Sequence, residues 1–177
     1  MIVQALIVVD MQRGFLAGGA EPVTDAAGLT DRVGALVERA RRAGAPVIHL
    51  QNDGAPGTVD EPFTPGWELF LNEPAETVIR KTEDDGFAGT PLGELLDGHG
   101  IRRVAVCGVL SEMCVSATAR AALARGFGVV LPHDTHGTYP LAEIPADVVA
   151  RVAEHALGDE VELVASAAAV TFVPAGA

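Results

Sequence analysis

Cysteine is scarce in this chain: Cys107 and Cys114 are the only two among 177 residues. Two thiols cannot form the disulfide framework of a small secreted domain, and they point to a reduced, cytoplasmic setting. Basic residues are also few. Twelve Lys and Arg stand against 24 Asp and Glu, a formal net charge of −12. That excludes the basic patch a phosphate backbone requires, so no nucleic-acid partner is expected. No apolar run approaches the roughly 20 residues needed to cross a bilayer, so no membrane partner is expected either. Residues 1–9 lack the basic start of a signal peptide and read as a first strand that ends in Asp10.

What is present is apolar and alternating. Hydrophobic residues make up 49% of the chain, and its length suits one domain with a sizeable core, taken here as residues 1–177. Apolar, β-rich runs recur at Ala5–Asp10, Pro46–Gln51, Thr77–Arg80, Val104–Gly108, Val129–Pro132 and Val161–Val164. Helical patterns separate most of them. Leu29–Ala43 carries Val33, Leu36, Val37 and Ala40 at helical spacing, with Gly44 as its stop. Pro91–Leu96 follows Thr90 as N-cap, Glu112–Arg125 ends at Gly126, and Pro145–His155 ends near Gly158. Strands alternating with helices imply a parallel sheet covered on both faces, and the near-continuous apolar runs suit such burial. Right-handed crossovers then give an α/β fold: a three-layer sandwich with a six-stranded, mainly parallel sheet in the Rossmann-like order 3-2-1-4-5-6. The segment Asn52–Pro65, rich in Gly, Pro and acidic residues, reads as a long functional or mobile loop. The tail Thr171–Ala177 shows no core role and is expected to be mobile or to dock on a second subunit.

Three ionisable residues close or follow strands: Asp10 the first, Lys81 the third and Cys114 the fourth. In the expected order the first and fourth strands flank the topological switch point, where open α/β sheets place their ligands. One such residue has a bland explanation, the chain returning to water. A carboxylate, an amine and a thiol at three such ends is more specific. Cys114 sits at a helix start, where unpaired N–H groups and the helix dipole favour the thiolate. Its alternative is a small packed core residue. As a nucleophile it would attack a carbonyl. Asp10 would take its proton and pass it to a leaving amine, and Lys81 would supply positive charge. Backbone N–H groups of the Leu110–Cys114 turn could hold an oxyanion. Cys107 lies mid-strand and reads as an inert core thiol.

These residues stand in a recognisable pattern. Leu6-Ile7-Val8-Val9-Asp10-Met11-Gln12 with Phe15 and Gly18-Gly19 comes first, followed by Arg80-Lys81 and Gly86-Phe87-Ala88-Gly89-Thr90-Pro91-Leu92. Cys107-Gly108-Val109-Leu110-Ser111-Glu112-Met113-Cys114-Val115 then precedes Thr118, Ala119, Ala122 and Gly126. The set resembles the isochorismatase-like cysteine hydrolases over nearly the whole chain. The resemblance implies a catalytic triad of Asp10, Lys81 and Cys114. It also implies a non-proline cis peptide joining Val109 to Leu110, and an oxyanion hole from the backbone N–H groups of Leu110 and Cys114.

Departures from the family pattern narrow the chemistry. Nicotinamidases of this superfamily bind a metal through an Asp and several His residues after the second strand. Here His49-Leu50-Gln51-Asn52-Asp53 offers one histidine, inside the strand, so neither a metal nor another cofactor is expected. Within the superfamily, Leu50-Gln51-Asn52-Asp53-Gly54 and Pro65-Gly66-Trp67-Glu68-Leu69 resemble the streptothricin hydrolase branch, which opens the lactam amide of a polycationic antibiotic. The expected partner is thus a small-molecule amide, with acidic loops suited to a cationic one. Other amidases or ureidohydrolases of the superfamily, and a non-catalytic binding member, are the alternatives. Gln12, Phe15, Asn52, Asp53, Trp67 and Phe87 are candidate substrate-binding residues, each with a structural alternative. His133 and His136 flank Asp134 and read as loop polar or interface residues, resembling a metal pair only superficially. By the family's habit a homo-oligomer, a dimer or larger, is expected.

Overall fold

The computed structural model describes residues 1–176. Its elements run β1 (Ile2–Val3), β2 (Ala5–Val9), α1 (Ala26–Arg42), β3 (Val47–Asn52), β4 (Thr77–Lys81), α2 (Leu92–Gly98), β5 (Arg103–Val109), α3 (Ser116–Ala124), β6 (Gly128–Pro132), β7 (His136–Gly137), α4 (Ala146–Leu157), β8 (Val161–Val164) and β9 (Thr171–Phe172). The central sheet has the order β4-β3-β2-β5-β6-β8 with every pair parallel. This is the 3-2-1-4-5-6 arrangement of a single-domain α/β sandwich. Three short strands, β1, β7 and β9, add to the six expected. β7 pairs beside the end of β5, Gly108 with His136 and Val109 with Gly137, making a seventh strand.

Every residue of β2 is buried, because both faces of the sheet are covered. The strand pleat divides them. Leu6 and Val8 join Leu29, Val33, Leu36, Val37 and Ala40 of α1 in one core layer. Ala5, Ile7 and Val9 join Leu92 and Leu96 of α2 and Ala119 and Ala122 of α3 in the other. Each fully buried Leu, Ile or Val contributes roughly 1.5–3 kcal/mol. With β2 and β5 sharing a register from Ala5–Val104 to Val9–Gly108, their ends meet at the switch point.

The tail departs from expectation. Thr171 and Phe172 pair in parallel with Ile2 and Val3, and Val170 and Phe172 are buried in the α1-side core. Arg39 of α1 donates to the carbonyls of Ala167 and Val170. The segment therefore docks on its own chain: alternating apolar residues and a free strand edge at β1 were enough to hold it. Ala177 lies outside the described residues. No helix among the described residues is long and apolar enough to cross a membrane.

Candidate active site

Three strand ends bring the site together. Asp10 follows β2 in a left-handed conformation, φ 50°, which turns the chain sharply out of the sheet. Aspartate tolerates that region better than most residues. Its backbone N–H still donates to Leu50 O at 3.1 Å. Lys81 is the last residue of β4. Beside Asp10, β5 reaches its end at Gly108 and Val109; Gly108 has φ 120°, and an added Cβ there would lie 2.0 Å from Val9 O. Only glycine lets the two strands approach so closely. The next peptide, Val109–Leu110, is cis. The chain then makes one wide helical turn, Ser111–Val115, before α3. Met113 breaks that turn with φ −108° and ψ −105°, and Val115 N–H reaches back to Leu110 O at 3.2 Å. Such five-residue turns recur at functional sites. This one carries Cys114.

The three side chains meet. Lys81 Nζ lies 2.9 Å from Asp10 Oδ2 and 3.3 Å from Cys114 Sγ. It also donates to Asn52 Oδ1 at 3.3 Å and Glu83 O at 3.2 Å. Asp10 Oδ1 is buried with no hydrogen-bond partner. Burial raises the Asp10 pKa to about 6, with Lys81 opposing. Burial alone would lower the Lys81 pKa, but the Asp10 carboxylate and the hydrogen bonds to Asp10 and Cys114 outweigh it, and the ammonium is held more firmly than usual. The thiol differs from what a helix N-terminus suggests. Burial pushes the Cys114 pKa up, and the carboxylates of Asp10 and Asp84 push it further, against the pull of Lys81. The resting group is therefore a neutral thiol beside a carboxylate able to take its proton. The helix dipole is outweighed because the Cys114 thiol is buried and two carboxylates lie nearby.

A cavity of about 110 Å³ opens on this cluster, lined by Asp10, Phe15, Asn52, Asp60, Asp84, Val109, Leu110, Met113 and Cys114. Of the candidate substrate-binding residues, Phe15 and Asn52 reach it and four do not. Gln12 is fully buried and braces the loops: its amide donates to Asn52 O and Trp67 O at 3.0 Å, and its oxygen accepts from Asn52 N–H at 2.9 Å. Asp53 accepts Trp67 Nε1–H at 2.9 Å and a forked pair from Arg80, closest 2.7 Å. The Arg80 guanidinium lies over the rings of both Phe63 and Trp67. Phe87 stacks on Phe127 in the core. Three residues absent from the candidate sets line the cavity: Met113 and two acidic loop residues, Asp60 and Asp84. Asp60 is buried and receives Asn52 Nδ2–H at 2.6 Å and Thr58 Oγ–H at 2.7 Å. Asp84 lies 3.4 Å from Cys114 Sγ. The signal for Asp84 was its place three residues after Lys81. Asp60 sits mid-loop with no local signal beyond its charge.

His49, the histidine of the second main strand, is buried and bonds Glu76 Oε2 at 2.9 Å. No histidine lines the cavity. The imidazole-containing ligand set of a zinc centre is therefore not assembled around Cys114.

Known proteins resemble this chain in sequence and in fold. A family model described as the isochorismatase domain matches residues 4–157. A streptothricin hydrolase of Streptomyces noursei is 60% identical over 97% of this chain and 65% of its own length. A second streptothricin hydrolase of that organism is 58% identical over 98% of this chain and 72% of its own. The chain thus spans about two thirds of the length of these curated relatives. Among solved structures, a pyrazinamidase of Pyrococcus horikoshii in complex with zinc is 30% identical, with a TM-score of 0.78 over 90% of this chain and 97% of that one. With its switch-point cluster of Asp10, Lys81 and Cys114 and a family match spanning most of its length, this chain belongs to the isochorismatase family.

Proposed function

We propose that this protein is a cysteine amidohydrolase that opens a C–N amide, the lactam of a streptothricin-type cationic antibiotic, through a thioester on Cys114. One observation carries the reading: a buried ammonium, Lys81, touches both the Asp10 carboxylate and the Cys114 thiol beside a small cavity. In the attack, Asp10 takes the S–H proton as sulfur bonds to the carbonyl carbon. The carbonyl oxygen becomes an oxyanion held by the backbone N–H groups of Leu110 and Cys114. As the intermediate collapses, the C–N bond breaks and Asp10 hands its proton to nitrogen. Water then gives a proton to Asp10 while its oxygen attacks the thioester, releasing a carboxylic acid and restoring the thiol. Lys81 remains a cation throughout and stabilises the ionised partner at each stage. No step is routed through a metal: the residues lining the cavity offer no imidazole to complete a zinc-type ligand set.

The choice of substrate rests on the streptothricin hydrolase relatives and on the cavity's charge. Beyond the Asp10–Lys81 ion pair, Asp60 and Asp84 line it, an excess of negative charge that favours a cation. Phe15 and Asn52 would contact the reacting amide. We place the protein in the cytoplasm as a homo-oligomer without nucleic-acid or membrane partners. The test is incubation with streptothricin and a panel of small amides that includes nicotinamide. Gain of one water by the antibiotic is expected. Hydrolysis of another amide alone would move the protein to a different amidase of the family, and hydrolysis of none would remove the enzymatic reading.

A further inference from the structure

Three residues that the proposed chemistry leaves unused converge behind the nucleophile turn. His133 follows β6, His136 opens β7, and Glu154 projects from α4. His133 Nδ1 lies 2.6 Å and His136 Nε2 lies 2.9 Å from the same oxygen, Glu154 Oε1. One donor atom from each residue falls within 4.8 Å of the other two, and no other such group of three occurs among the described residues. None of the three lines the Cys114 cavity.

Three features go beyond an ordinary ion pair. The donor set, two imidazole nitrogens and a carboxylate oxygen, is that of an open zinc site with one position left for water. The second ring nitrogen of His136, Nδ1, is hydrogen-bonded to Ser111 Oγ at 2.9 Å. That outer partner fixes the orientation of the ring, as outer partners of metal-bound imidazoles do. Finally, exposure is graded. The side chains of His136 and Glu154 are 1% and 9% exposed, whereas that of His133 is 38% exposed and gives an ion a way in. Ligands about 2.0–2.1 Å from a tetrahedral ion stand about 3.3 Å apart. The His133–Glu154 and His136–Glu154 donor pairs, at 2.6 and 2.9 Å, need to separate by about 0.7 and 0.4 Å, and the two imidazole nitrogens, within 4.8 Å of each other, need to settle at a similar spacing, all within reach of side-chain torsions.

We propose that His133, His136 and Glu154 form a site for a divalent transition-metal ion of the zinc class. Neutral imidazoles and the ionised carboxylate supply the lone pairs, and a water completes the coordination. Through Ser111, the residue after Leu110, an ion bound here would tie β7 and α4 to the turn that carries Cys114. From the sequence His133 and His136 read as loop polar or interface residues; β7 pairing and the α4 face add Glu154, 21 and 18 residues further on, to them.

The experiment titrates zinc chloride into untagged, full-length Cys114→Ala protein, so that the cavity thiol cannot supply a ligand. Calorimetry should give one ion per chain. A hundredfold excess over Kd should raise the thermal midpoint by about 5 °C or more. His133→Ala alters a partly exposed side chain and should leave the fold intact by circular dichroism. It should weaken zinc binding by at least about tenfold, and Ser111→Ala by roughly tenfold through loss of the outer partner. Absence of saturable binding, or equal affinity in the parent and in folded His133→Ala, would overturn the site.

Discussion

Replacing Lys81 with methionine isolates the charge coupling on which the site depends. The ammonium is 2.9 Å from Asp10 Oδ2, where at an effective dielectric of 20 the gross attraction is about 6 kcal/mol. Desolvation offsets part of it, and removing one partner of a buried pair typically costs about 3–5 kcal/mol. Asp10 has an escape, which is to bind a proton. Its pKa already stands at about 6 against 3.8, raised by burial with Lys81 pulling it down. Without Lys81 it rises further. A carboxyl whose folded pKa exceeds its unfolded value binds protons more tightly when folded, so stability falls as pH rises from 3.8 through the folded pKa. In the intact protein that window closes at about 6 and spans about 3 kcal/mol; in Lys81→Met it extends higher. Urea denaturation should therefore show a loss of about 3–5 kcal/mol near pH ~8 and less than about half of that near pH ~5. The double variant Asp10→Asn/Lys81→Met, with no charge left to bury, should recover most of the loss at the higher pH. An equal loss at both pH values, or no recovery in the double variant, would refute the coupling.

Other consequences are independent of that pair. Asp10 must be ionised to accept the thiol proton, so kcat/KM should fall about tenfold per pH unit below about 6, read from a pH–rate profile. Iodoacetamide should modify Cys114 and spare the fully buried Cys107, as peptide mapping would show. The Cys114 reaction should speed up with rising pH and in Asp84→Asn, which removes a charge 3.4 Å from the sulfur. Gly108→Ala would force a Cβ to 2.0 Å from Val9 O at φ 120° and should cost more than about 3 kcal/mol in thermal or urea unfolding. Gly44→Ala, at φ 68° in open space, should cost only about 1 kcal/mol.

Much of the fold was legible because six apolar runs lie between amphipathic or capped helices, and only a doubly wound sheet covers both faces of such strands. The strand ends Asp10, Lys81 and Cys114 were legible for the same reason, since topology alone carries them to one edge. What escaped were features set by pairing across long sequence distances. β9 is two residues long, and only its partner β1, at the other end of the chain, makes it a strand. Trp67 and Asp53 read as substrate contacts from loop position, and their engagement by Arg80, across the loop on β4, had no local signal. The resting state of Cys114 was hidden because the thiol's environment depends on burial and on Asp84, neither visible in the local motif.

The most direct test of a nucleophilic Cys114 is intact-protein mass spectrometry on enzyme mixed with streptothricin and quenched in acid within one turnover. Opening a lactam leaves the nitrogen tethered to the acyl group, so the thioester should add the full mass of the antibiotic, mapped to the peptide bearing Cys114. The released product should carry one added water, and Cys114→Ala should give neither adduct nor product. Turnover by Cys114→Ala, or product formation in the parent without any adduct at Cys114, would contradict the mechanism.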